Sequence, residues 1–99
     1  MLEQYRPYFV ETIRLAKLRD ESMYEYLKTL DDDTLQAIMT AMYLGREYIY
    51  YPGRRSRNPE KLFKEWREYI GSDEYAAEVI DTKKDVAAYL KKTMYILGM

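Results

Sequence analysis

Ninety-nine residues with a mass of 12.0 kDa make one domain and exclude a multi-domain enzyme. Sixteen basic and seventeen acidic side chains leave a net charge of −1, so no whole-molecule field draws the chain to nucleic acid or membrane. The absence of cysteine and histidine removes disulfides, thiolate nucleophiles and most metal and acid–base chemistry, so neither a metal nor a cofactor is expected.

Proline, glycine and capping residues divide residues 1–99 into helical stretches. Pro7 suits the first turn of a helix that carries Phe9, Val10, Ile13 and Ala16 on one face and ends near Arg19 or Asp20. Ser22 with Glu25 has the form of a capping box, and Met23, Leu27 and Leu30 give the short second helix its apolar stripe. Asp31, Asp32 and Asp33 precede the third helix, where carboxylates accept orphan amide hydrogens and complement the helix dipole.

The third helix, about Thr34 to Tyr50, has two faces that can be packed. Leu35, Ile38, Met39, Met42 and Ile49 form one, and Ala37, Ala41 and Gly45 form a ridge of small residues on the other. Only a narrow strip with Gln36, Thr40 and Glu47 is polar, so this helix is expected at the centre of the fold. Gly45 costs about 1 kcal/mol relative to alanine in a helix interior, a cost explained if a neighbouring helix approaches closely there.

Pro52 and Gly53 mark a loop running through Arg54, Arg55, Ser56 and Arg57. Asn58 and Pro59 then start a fourth helix as N-cap and first residue. Leu62, Phe63, Trp66, Tyr69 and Ile70 make it the most clearly amphipathic segment, with Trp66 expected to be substantially buried. Gly71 ends it, Ser72 opens a short fifth helix with Tyr75, Ala76, Val79 and Ile80, and Thr82 is expected to cap a last helix whose stripe is Val86, Leu90, Met94 and Leu97. No stretch alternates with period two, so the expected fold is an all-α, single-domain bundle of five to six helices around a central third helix.

Two groups of residues invite a chemical reading. Arg46 falls within the apolar arc of the third helix, where its guanidinium must meet a carboxylate such as Asp81 or Asp85, hold an anion, or lie beyond a shorter helix than the periodicity suggests. Arg54, Arg55 and Arg57 lie in a loop flanked by Tyr50 and Tyr51. Residues 34–58 carry four basic groups and one acidic group, a local charge of +3, against −3 before them and −1 after. Arginines, stacking tyrosines and the amides of a helix start can hold phosphate or a nucleic-acid backbone, and the same residues can equally form a solvated loop. The twelve tyrosines belong either to the core boundary or to a binding face.

The stretch Leu35, Gln36, Ala37, Ile38, Met39, Thr40, Ala41, Met42, Tyr43, Leu44, Gly45, Arg46 resembles the Met-aromatic-Leu-Gly-Arg signature of a bacterial family known only as a domain of unknown function. Asp85 to Leu90 and Ile96 to Gly98 are similar to that family's C-terminal end. The resemblance implies a bacterial origin, including mobile-element genes, and no particular activity; the arginine-rich loop departs from the pattern.

These features lead to the expectation of a small, non-enzymatic interaction protein that binds another protein, or itself, through a tyrosine- and methionine-bearing helical face. The alternative is a nucleic-acid- or anion-binding regulator using the arginine loop, with weak and salt-dependent binding. A phage or mobile-element inhibitor is a third reading. No secretory leader or membrane segment is legible, so the default location is the cytoplasm.

Overall fold

Six α-helices and one short 3₁₀ turn account for the computed structural model, which describes residues 2–53 and 55–99. The 3₁₀ turn Leu2–Tyr5 leads into α1 (Arg6–Ala16), α2 (Ser22–Leu27), α3 (Asp32–Glu47), α4 (Pro59–Ile70), α5 (Ala76–Asp81) and α6 (Val86–Ile96). There is no strand among the described residues. None of the described helices is long and apolar enough to cross a membrane. The helices form one all-α bundle with a radius of gyration of 12.3 Å.

The central position of α3 follows from its small-residue ridge. It packs most extensively on α6, and also on α4, α5 and α1. Ala37, Ala41 and Gly45 are buried, and they let the α6 backbone approach until the Tyr89 carbonyl lies over Gly45. The buried Thr93 hydroxyl donates to the Ala41 carbonyl and ties the two helices together at the same place. The strip expected to be polar is instead mostly inside. Thr40 is buried and its hydroxyl returns a hydrogen bond to Gln36 O at 2.8 Å. Gln36 is buried too, donating to Asp73 O at 2.9 Å and accepting from Asp73 N at 3.1 Å. A side-chain amide pairs with both backbone groups of one residue in this way, so its polarity costs little and it fixes the α4–α5 connection on α3.

Other departures concern helix ends and faces. Val10 is exposed at 50%, and Thr12 and Leu15 take the buried positions of α1 beside Phe9 and Ile13. Ser22 is the first residue of α2 rather than its cap; Asp20 Oδ1 accepts the Ser22 amide at 2.8 Å, so the capping box does not form. Asp73 does the same at the start of the fifth segment, accepting the Tyr75 amide at 2.8 Å in place of Ser72. Thr82 belongs to the end of α5, where its hydroxyl donates to Val79 O at 2.7 Å, and α6 starts after Asp85. Asp31 and Asn58 cap α3 and α4 as their sequences require, and Gly71 ends α4 with φ +76°.

The acidic run ahead of α3 supplies a cap and a cross-link. Tyr5 Oη donates to Asp33 Oδ2 at 2.8 Å, while Arg67 on α4 donates to Asp33 Oδ1 at 2.7 Å and to Tyr5 Oη at 3.0 Å. The Tyr5 hydroxyl, helped by the Arg67 guanidinium, holds the Asp33 carboxyl below the ordinary aspartate range. A depressed carboxylate contributes stability above its unfolded pKa of about 3.9 and loses it as the pH falls through its lower folded value. Replacing Asp33 with asparagine is therefore expected to lower stability at neutral pH and to narrow the difference from wild type below about pH 4, as read from helical ellipticity. The effect should be small, because water screens a half-exposed pair.

Candidate interaction surface

The connection between α3 and α4 is the longest in the fold, and it lies back against α6. Ser56 N donates to Ile96 O at 2.7 Å, Lys92 Nζ to Tyr51 O at 2.8 Å, and Tyr95 Oη to Gly53 O at 3.4 Å. The Arg55 guanidinium lies 5.5 Å from the centre of the Tyr95 ring, a cation–π distance. Between this connection, the start of α4 and α6 there is a groove of about 650 Å³. Tyr48, Tyr51, Leu62 and Ile96 give it an apolar lining, and Arg55 and Lys92 bring positive charge.

Next to the groove runs a file of aromatic rings. Tyr51 lies 5.8 Å from Tyr48, Tyr48 6.2 Å from Trp66, and Trp66 5.6 Å from Tyr69, measured between ring centres. The two contacts of Trp66 are edge-on, the geometry favoured by aromatic quadrupoles. Trp66 is half-buried against the core, consistent with its expected burial, whereas Tyr69 of the same apolar arc is 80% exposed. The reason is that α4 has one inward position, Phe63, fully covered by the bundle, while the rest of its apolar arc stays at the rim.

Among the residues singled out from sequence, Arg55 and Arg57 are exposed, and Tyr50 and Tyr51 are exposed at 95% and 62%. Arg54 lies outside the described residues. Arg55 and Tyr51 meet at the groove, whereas Tyr50 and Arg57 do not line it. Arg46 is exposed rather than buried, with its guanidinium 5.0 Å from the Tyr43 ring centre and no carboxylate partner among the described residues. The buried face of α3 is centred on the small residues, so Arg46 emerges at its margin in the last turn, where no neighbouring helix covers it. The interhelical ion pair assigned to it is made by Arg67 and Asp33.

Three of the methionines, Met23, Met39 and Met42, are buried in the core and Met94 and Met99 are half-buried against it, so the lining of the groove and the file beside it rests on tyrosines rather than methionines. Sequence reasoning missed Lys92, Tyr95 and Tyr48, which topology alone brings to the loop. Trp66 and Tyr69 carried a signal in their helical spacing, but the same spacing describes a core stripe. No group of acidic side chains among the described residues is placed to hold a metal ion. Comparison with protein-family models, curated proteins and solved structures finds no match to this chain.

Proposed function

We propose that the chain is a small, non-enzymatic protein-interaction module, working in the bacterial cytoplasm, that binds another protein or a second copy of itself through the aromatic file Tyr51, Tyr48, Trp66 and Tyr69. The observation that carries this reading is a run of four adjoining rings in a domain of 99 residues, with Tyr51 and Tyr69 exposed at its ends and Tyr48 and Trp66 half-buried between them. Aromatic side chains bury a large area at little conformational cost and are enriched where proteins meet. The resemblance of Leu35 to Arg46 supports the bacterial setting and, with it, a mobile-element origin.

A photo-crosslinking amino acid placed at Tyr69 and, separately, at Val10 tests the proposal in living cells. Discrete adducts are expected from position 69 and not from position 10, and an adduct of twice the chain mass would identify self-association. Equal labelling from both positions, or none from position 69, would count against it.

Exposed Arg55 and Arg57 beside exposed Tyr50 and Tyr51 favour a second reading, weak nucleic-acid or anion binding. With three arginines each neutralising one phosphate, the log–log salt slope on duplex DNA is expected near −3, at about −0.9 per contact. Fluorescence anisotropy between about 50 and 200 mM salt measures it. If replacing Arg54, Arg55 and Arg57 with serine leaves affinity and slope unchanged, this second reading fails.

A further inference from the structure

The groove carries charge of one sign. Among the described residues, Arg55 and Lys92 line it together with mostly apolar side chains, and no aspartate or glutamate does. Lys92 spends one ammonium hydrogen on Tyr51 O, Arg55 rests against the Tyr95 ring, and among the described residues neither meets a carboxylate. The surrounding segment 34–58 is at +3 in a chain that is otherwise net negative. An apolar groove with unneutralised cations is complementary to a ligand that combines apolar side chains with negative charge.

The aromatic file decides the ligand's shape. Ring-to-ring steps of 5.8, 6.2 and 5.6 Å limit the track to about five residues of extended peptide at most, at about 3.3 Å each. Charge is confined to its groove end. Along α4, the helix bearing Trp66 and Tyr69, Glu60, Glu65 and Glu68 balance Lys61, Lys64 and Arg67, and Arg67 is already paired with Asp33. A nucleic-acid strand bears a phosphate at every nucleotide and needs cations along its whole path. A peptide with carboxylates at one end does not.

Building on the interaction-module reading, we infer that the groove and the aromatic file bind an extended acidic peptide segment of a partner protein, with its carboxylates between Arg55 and Lys92 and its aliphatic or aromatic side chains on the rings. The partner's acidic end then sets the direction in which it lies.

The test is selection from a displayed library of random linear peptides on the folded chain. Selected peptides should combine Asp or Glu with apolar residues, and a synthetic copy should shift the emission of Trp66, the only tryptophan, which touches two rings of the track. Arg55→Glu, at an exposed position, should weaken that peptide about tenfold or more, and Lys92→Gln should weaken it too, with helical ellipticity unchanged in both. The inference is overturned if the selected peptides lack an acidic bias, if Arg55→Glu binds as wild type, or if Trp66 emission does not move. An oligothymidylate that binds the same track when no peptide does would also overturn it. Crosslinks from position 69 in the absence of any selected peptide would defeat this inference alone; absence of both would defeat the interaction reading with it.

Discussion

Replacing Gly45 with alanine is expected to destabilise the fold by about 2 kcal/mol, although alanine is the better helix former by about 1 kcal/mol. A Cβ at this position would collide with the Tyr89 carbonyl oxygen and lie 2.6 Å from its carbon and 2.8 Å from Thr93 Oγ1. The obstacle is the backbone of a packed helix, so α3 and α6 must separate, which strains the bond from Thr93 to Ala41 as well. For a domain of this size the melting midpoint should fall by roughly 8–16 °C. Gly53→Ala makes an informative companion. Its Cβ would meet Tyr95 Cε2 at 2.5 Å, a less severe contact, and with the ring of a half-exposed side chain that can swing away. A change of no more than about 0.5 kcal/mol is expected there. A gain of stability for Gly45→Ala would mean that helix propensity outweighs the approach of α6 and would contradict this explanation of Gly45.

The second large effect separates two aromatic residues three positions apart on α4. Phe63 is buried against the core and lies 6.2 Å from the Tyr5 ring centre, so Phe63→Ala should cost about 3–5 kcal/mol. That is a large part of the roughly 5–15 kcal/mol available to a small domain. Trp66 is the larger side chain, yet it sits at the margin of the core with part of its ring already in water, and Trp66→Ala should cost less than Phe63→Ala. Urea denaturation followed by helical ellipticity compares the two midpoints at constant slope. A Trp66 loss equal to that of Phe63 would mean that the ring is part of the core and that the aromatic file holds the fold together.

Much of the architecture was legible from local chemistry. Asn58 with Pro59, Asp31 ahead of Thr34, and Gly71 after Ile70 each fix a helix boundary through groups within three residues of one another. The ridge of Ala37, Ala41 and Gly45 likewise declared a close helix contact through residue size alone. What escaped was set by the third dimension. The burial of Gln36 depends on Asp73, thirty-seven positions away, which converts a polar side chain into a satisfied interior one. Arg46 and Tyr69 satisfy the periodicity of a buried face, but periodicity is silent on where neighbouring helices stop covering it. Arg67 carried no sequence signal of its ion pair, because its partners Tyr5 and Asp33 come from two other parts of the chain.

The candidate surface shows the same division. The exposure of Arg55, Arg57, Tyr50 and Tyr51 follows from a Pro-Gly loop, whereas the groove exists because the loop returns to Lys92, Tyr95 and Ile96 on the last helix. Long-range placement of this kind leaves no spacing to detect.

The central claim is that the aromatic file serves binding more than folding, and one paired measurement tests it most directly. Adduct yield from the photo-crosslinker at position 69 is determined in cells alongside the melting midpoint of the purified protein, for wild type, Tyr51→Ser and Trp66→Ala. Both substitutions are expected to abolish most of the adduct while the protein still melts cooperatively and remains folded at the growth temperature. Undiminished adducts in both variants, or adducts lost only in step with unfolding, would contradict the claim.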